Sequence, residues 1–218
     1  MPFTGFTSET GEFLWELAFH NEKPWFEAHK EQFLRAVKEP FDALAKETLA
    51  LMRQKYPDEP YCLHISRIYR DARRLFGRGP YKDHLWFTLW TGEDRHNSPV
   101  FWFELSPASF SYGVGFYTAT AEQMAALRRY IDANPAEMER LAKRVAKSEF
   151  HLEGEPYKRL KKDVGEVLNP WYNRKWISLC AEYDHGGALY TSELPQVLLD
   201  AYEKLMPVYR LLKRFPAE

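Results

Sequence analysis

Hydrophobic residues recur every three or four positions near both ends of the chain, a spacing typical of amphipathic helices. Helix-capping residues and prolines precede these stretches and mark where each helix should begin. Asn21, for example, is expected to cap the second helix. The predicted helices begin near Thr7 or Ser8, Asn21, Pro40, Thr120, Asn134 and Ser192.

Between these helical regions the chain changes to short runs rich in aromatic residues, several of them separated by turn-forming residues. Such runs predict antiparallel hairpins. The predicted strands cover residues 62–69, 85–90, 100–105, 110–117 and 176–183. The pattern therefore predicts an α+β fold: a mainly antiparallel sheet of about five strands, with helices from both chain ends packed on it. Since no linker or repeat divides the sequence, residues 1–218 are expected to form a single α+β domain.

Composition narrows the class of protein. The chain has 218 residues, 45% of them apolar, which suits a folded globule and excludes a disordered chain. Its net charge of -1 excludes the overall basic field of a dedicated nucleic-acid coat. The 15 Phe, 13 Tyr and 7 Trp are an unusual excess that indicates a core, a ligand groove or a partner-binding face.

Cysteine and histidine spacing gives no sign of a bound cofactor. Cys62 and Cys180 lie far apart, without the C-x-x-C spacing of a zinc ribbon or the pattern of a disulfide framework. The seven histidines show no ligand spacing, so a metal site would need distant segments, such as those of His64, Asp71 and His84. We therefore expect no metal and no cofactor. Without a signal peptide or a membrane-spanning apolar run, we expect a soluble, cytoplasmic protein with no membrane partner.

One segment, residues 67–84, has a strongly basic composition. It contains six Arg and Lys (67, 70, 73, 74, 78, 82) and two Asp (71, 83), a local charge of +4. Alternation along a strand would place Arg67, Tyr69, Asp71 and Arg73 on one side, and a Gly-Pro loop would return Tyr81 and Lys82 beside them. Guanidinium and ammonium groups are the usual ligands of phosphate and carboxylate.

We therefore hypothesise a site for an anionic small molecule. The arginines and the lysine would hold the anion, the tyrosines would orient it, and the aspartate would fix the arginines. The candidate residues are Arg67, Tyr69, Arg70, Asp71, Arg73, Arg78, Tyr81 and Lys82. A solvated edge or an internal Arg–Asp network has equal weight as an interpretation, and a nucleic-acid patch has less.

Trp25 and His29 are additional candidates, because residues four apart share one helix face. They could line the basic site, with His29 as a general acid or base. The alternative, which we favour, is a core tryptophan beside a boundary histidine. No Walker A, G-x-S-x-G or H-E-x-x-H motif occurs.

The chain resembles the bacterial family called domain of unknown function 2461. The resemblance lies in five blocks: residues 3–7, Asn21 with residues 25–30, and residues 67–73, 80–82 and 113–117. It implies a single soluble α+β domain in bacteria and supplies no reaction. The family usually has Arg-Phe after the Asp and Lys two residues before the Pro, where this chain has Arg73-Arg74-Leu75 and Arg78. The positive charge is retained at both places.

Three functions follow as hypotheses. The first is binding of an anionic small molecule, for example one that carries a phosphate group. If the protein catalyses a reaction, hydrolysis of a phosphoryl or acyl group is more plausible than redox chemistry. The sequence shows no nucleophile–base pair that would identify an enzyme. The second is a non-catalytic binding or self-association module that uses an aromatic sheet face, since Trp86 and Trp90 face opposite to Phe87. The third, binding of nucleic acid through residues 67–84, which we call the basic loop, is the least favoured.

Overall fold

The structure is a computed structural model that describes residues 2–71, 73, 75 and 77–215. Within these residues, strands lie at Cys62–Ile65 (β1), Leu85–Trp90 (β2), Pro99–Leu105 (β3), Ser109–Phe116 (β4), His151–Glu153 (β5) and Ser178–Asp184 (β6). They form one antiparallel sheet in the order β1-β2-β3-β4-β6-β5. All the predicted strands are present, and β5, only three residues long, is an addition to them.

Helices come from both ends of the chain, which confirms the α+β prediction. A π-helical turn at Leu34–Lys38 runs directly into the long fourth helix, in which Pro40 is the second residue. The helices are Ser8–Phe19 (α1), Lys23–Ala28 (α2), Lys30–Phe33 (α3), Glu39–Lys55 (α4), Ala121–Ala133 (α5), Pro135–Val145 (α6), Asn169–Tyr172 (α7) and Leu194–Leu212 (α8).

Two local predictions are wrong. Helix α2 begins at Lys23 with Glu22 at its N-cap, so Asn21 does not cap it. The first strand ends at Ile65 and does not continue to Tyr69. Both differences have one cause: the side chain of Asn21 and the backbone of the residues after β1 bond to the returning segment around Tyr81.

The chain divides into two compact units, and the first contains Met1–Leu89, Trp102–Ser111 and Glu182–Asp200. Its core is aromatic: Phe41, Phe87 and Phe103 are fully buried, and their ring centroids lie 5.5–6.0 Å apart. In β2 Phe87 is buried, whereas its neighbour Trp86, on the opposite side of the strand, is half-buried. The open side of β2 therefore carries the polar and aromatic residues described below.

The second unit contains Trp90–Phe101, Tyr112–Ala181 and Ala201–Glu218. Phe101 stacks on Tyr209, whose hydroxyl lies 2.9 Å from the N–H of Thr91, a buried hydrogen bond. Thr120 and Gln123 form the capping box that their spacing predicts, with bonds of 3.0 and 3.1 Å. That residues 1–218 form a single α+β domain stays a prediction.

Candidate functional site

The basic loop of the first unit is anchored by the side chain of Asn21. Its Oδ1 accepts a hydrogen bond from the N–H of Tyr81, and its Nδ2 donates to the carbonyl of the same residue, both at 2.9 Å. Tyr81 also pairs with Tyr69 in an isolated antiparallel bridge. Two backbone bonds flank the bridge, from the N–H of Arg70 to Pro80 and from that of Lys82 to Ile68. These bonds hold residues 68–70 against residues 80–82.

The ring of Tyr81 is buried and stacks on Phe26, with 4.1 Å between centroids. Burial is the main cause that raises the pKa of Tyr81, and the neighbouring Tyr69 and Glu27 add to it. Tyr69 is 48% exposed and packs against the edge of this pair. Tyr81 thus supports the loop from inside, while Tyr69 is open to solvent.

Arg70 is held firmly in the fold. Its side chain is 16% exposed, and its Nε donates to the carbonyl of Tyr81 at 2.7 Å. One terminal nitrogen lies 3.7 Å from Oδ1 of Asp83. Because the guanidinium has five donors, these contacts leave others for a ligand.

Lys82 experiences the positive charges of two arginines, and we call Arg67, Arg70 and Lys82 the cationic cluster. Burial lowers the pKa of Lys82, and repulsion from Arg70 and Arg67 lowers it further. Its Nζ lies 5.6 Å from the ring centroid of Trp86 on β2. Arg67 is exposed. Among the described residues neither Arg67 nor Lys82 forms an ion pair with a carboxylate, so the cluster keeps a local positive charge.

Carboxyl groups adjoin the cationic cluster. Desolvation raises the pKa of Asp83, but the hydrogen bond with His84, a backbone hydrogen bond and the charges of His84 and Arg70 together outweigh it, so the pKa is lowered. The Asp83 Oδ1 to His84 Nδ1 distance is 2.9 Å.

Glu104, on β3, behaves in the opposite way. Burial raises its pKa, and repulsion from Glu182 and Asp83 adds to the effect, against the attraction of His84 and Lys82. A carboxyl whose pKa is raised keeps its proton to higher pH, a property of general acids and bases. Sequence reasoning missed Glu104, because nothing near it in the chain distinguishes it from an ordinary strand residue.

The remaining candidate residues of the loop lie outside the cationic cluster. Asp71 and Arg73 pair with each other at 2.8 Å, and the Arg73 side chain is 88% exposed. This bond raises the pKa of Arg73. Arg78 is also exposed. Arg74, counted in the basic segment, lies outside the described residues.

Trp25 and His29 stack on each other, 4.2 Å between centroids, and Nδ1 of His29 lies 2.8 Å from the carbonyl oxygen of Trp25. Trp25 also contacts Phe13 and His20. In the part of the chain that the structure describes, no hydrogen bond, ion pair or ring contact joins either residue to Lys82. The structure thus brings both residues together on one face, as their spacing predicts, but beside α1.

The second unit contains another basic site, which sequence reasoning did not identify. A cavity of about 640 Å³ lies between α6 and the end of α8, above an apolar floor that includes Met138 and Met206. Two pairs of arginines, each four residues apart, line it: Arg140 with Arg144, and Arg210 with Arg214. They provide matched control residues for any test of anion binding in the first unit.

Comparison with known families decides where the chain belongs. The model of the family described as "Conserved hypothetical protein (DUF2461)" matches residues 9–210. The chain belongs to this family. The match includes the basic loop and β5 of the DUF2461 chain. A comparison with curated proteins found no match. Among the described residues, no helix has the length and apolar character needed to cross a membrane.

Proposed function

We propose that this DUF2461 protein binds an anionic small molecule, of the phosphate or carboxylate class, through the cationic cluster of Arg67, Arg70 and Lys82. The observation that carries the proposal is the environment of Lys82. Its ammonium group is half-buried, and two guanidinium groups repel it. Like charges gathered in this way are unfavourable in the free protein, and a bound anion would relieve the repulsion.

The surroundings suit a small molecule with an apolar part. Trp86 supplies a flat apolar surface beside the ammonium of Lys82, with its ring centroid 5.6 Å from Nζ. Arg70 supports the site because its position is determined by the carbonyl of Tyr81. A ligand could therefore meet one preorganised guanidinium, one mobile ammonium and one exposed guanidinium, from Arg67.

Glu104 would give this site a group able to exchange a proton. The negative charge of Glu104 raises the pKa of Lys82, which partly offsets the effect of burial. The pKa of Glu104 itself is raised, as acid–base catalysis by a carboxyl group at neutral pH requires. If a bound phosphate ester or acyl compound were hydrolysed, Glu104 would be the first residue to substitute. The proposal itself concerns binding.

The test is calorimetric titration with inorganic phosphate and a panel of phosphorylated metabolites, supported by thermal shift. Since a hydrogen bond to a charged group contributes about 1.5–3 kcal/mol, Lys82→Met should weaken binding about tenfold or more. Arg67→Ala should act in the same direction.

Two control variants make the result specific. Arg73→Ala removes an exposed arginine of the same loop, and Arg144→Ala removes one from the arginine-lined cavity of the second unit. Both should bind like the unaltered protein. Equal loss in all four variants, loss only with Arg144→Ala, or tighter binding of single-stranded DNA than of any small anion would overturn the proposal.

A further inference from the structure

Strand β5 brings three metal-ligating side chains of the second unit together. It pairs with β6 in antiparallel register, with His151 opposite Cys180 and Glu153 opposite Ser178. Residues directly opposite each other share a sheet face, and so do residues two apart on one strand. The imidazole of His151, the carboxylate of Glu153 and the thiol of Cys180 therefore lie on one face, and their ligand atoms are all within 4.8 Å of one another.

The distances are close to those that a tetrahedral ion needs. Nε2 of His151 and Oε1 of Glu153 are 3.4 Å apart. Two ligands bound about 2.1 Å from a tetrahedral metal are separated by about 3.4 Å, and a thiolate and an imidazole on one zinc ion by about 3.6 Å. Small rotations of side chains would close the remaining gap, without any movement of the strands.

The donor set selects the class of metal. Calcium and magnesium take oxygen ligands, whereas one sulfur, one nitrogen and one carboxylate oxygen suit zinc and similar transition metals. The three residues differ in exposure: Cys180 is buried, Glu153 is half-buried and His151 is exposed. The exposed side leaves room for a fourth ligand from solvent, as in zinc sites with three protein ligands.

We propose that His151, Glu153 and Cys180 form a site for a divalent transition metal of the zinc type, with water in the fourth position. The ion would join the edge strand β5 to β6 and so add a cross-link to the shortest strand of the sheet. This site is independent of the proposed anion site, which lies in the first unit. Sequence spacing indicated no metal because the ligands come from two segments about 30 residues apart in the chain.

Cobalt provides the direct test. Metal-free full-length protein is titrated with Co²⁺ while absorption is followed, because a thiolate ligand gives a charge-transfer band and a tetrahedral site gives intense d–d bands. We expect one equivalent to bind and Zn²⁺ to displace it. Zn²⁺ should also raise the unfolding temperature.

The two cysteines make a matched pair of variants. Cys62→Ser, on β1, should leave both kinds of band unchanged, whereas Cys180→Ser should remove the charge-transfer band. Because Cys180 is buried and its substitution could prevent folding, His151→Ala and Glu153→Gln are tested as well. Each should weaken Co²⁺ binding at least tenfold. Absence of a thiolate band in the unaltered protein, or a band that Cys62→Ser removes, would overturn the proposal.

Discussion

The carboxamide of Asn21 forms two hydrogen bonds with the backbone of Tyr81, one to its N–H and one to its carbonyl, each 2.9 Å long. A side chain thus makes the pair of bonds that a neighbouring strand would make. The two residues are 60 positions apart, so this contact joins the start of α2 to the basic loop. Lys82 follows Tyr81 directly, and its position depends on the same bonds.

Asn21→Ala should destabilise the fold and weaken the site together. It leaves the N–H of Tyr81 without its partner, and a lost bond of this kind costs about 1–3 kcal/mol. We expect a decrease of that size in the free energy of unfolding, measured by urea denaturation, and weaker phosphate binding. Asn21→Asp keeps the acceptor for the N–H of Tyr81 but turns a second acceptor toward its carbonyl, so this variant should also lose stability. A decrease below about 0.5 kcal/mol for the alanine variant would contradict this account.

Gly79 allows Asn21 to approach the loop. A Cβ at this position would overlap both the carboxamide and the backbone oxygen of Asn21. Gly79→Ala should therefore cost about 1–3 kcal/mol, as overpacking usually does.

Gly77 is the matched control for that substitution, because no atom of the described residues beyond its chain neighbours lies within 4 Å of the corresponding Cβ, and its φ is +79°. Gly77→Asn should be tolerated better, since asparagine adopts the left-handed region. If the two variants lose equal stability in urea denaturation, close approach is not the reason for glycine at position 79.

Lys82→Met should weaken anion binding without a loss of stability. A lysine whose pKa is lowered in the fold contributes stability only above its unfolded pKa, and this contribution is lost as the pH falls through the folded value. At neutral pH the buried charge is therefore a cost, which methionine removes.

The cation–π contact of Lys82 with Trp86 opposes that gain by about 0.5–1 kcal/mol. We expect the free energy of unfolding at pH 7 to change by no more than about 0.5 kcal/mol. Phosphate affinity should fall about tenfold in the same protein. A variant that loses both stability and binding would show that Lys82 is a structural residue.

Local patterns predicted the fold well, because they act over a few residues. The Thr120–Gln123 capping box and the alternation of Trp86 and Phe87 in β2 are both decided within one turn or one strand. Strand β5 was missed because three residues are too few to show alternation.

The candidate site was predictable only in part. The basic composition of residues 67–84 drew attention to the loop that contains the cationic cluster, but the assumption of a continuing strand placed Arg67 and Arg73 on one side. In the structure the strand ends at Ile65, and Arg73 points into solvent with Asp71. Glu104 and Cys180 have neighbours from distant parts of the chain. Glu104 lies near His84 and Glu182, and Cys180 lies opposite His151 across the sheet, and no local sequence pattern shows these contacts.

Glu104→Gln should make stability less dependent on pH. An acid whose pKa is raised in the fold contributes stability below its unfolded pKa, near 4.5, and this contribution is lost as the pH rises through the folded value. Glutamine cannot ionise. The free energy of unfolding of the variant should therefore rise, relative to that of the unaltered protein, by roughly 0.5–1 kcal/mol between about pH 4 and pH 7.

Urea denaturation at several pH values measures this difference, and Glu12→Gln, at an exposed position of α1, is the control that should show none. Because glutamine also removes a negative charge near Lys82, phosphate should bind more tightly to the Glu104→Gln variant at pH 7. Parallel pH curves for the variant and the unaltered protein would mean that Glu104 ionises as freely in the fold as in the unfolded chain. Suppose instead that phosphate binds the variant more tightly and that the variant gains stability relative to the unaltered protein as the pH rises. Glu104 would then lie beside the bound anion, where a proton could pass between them.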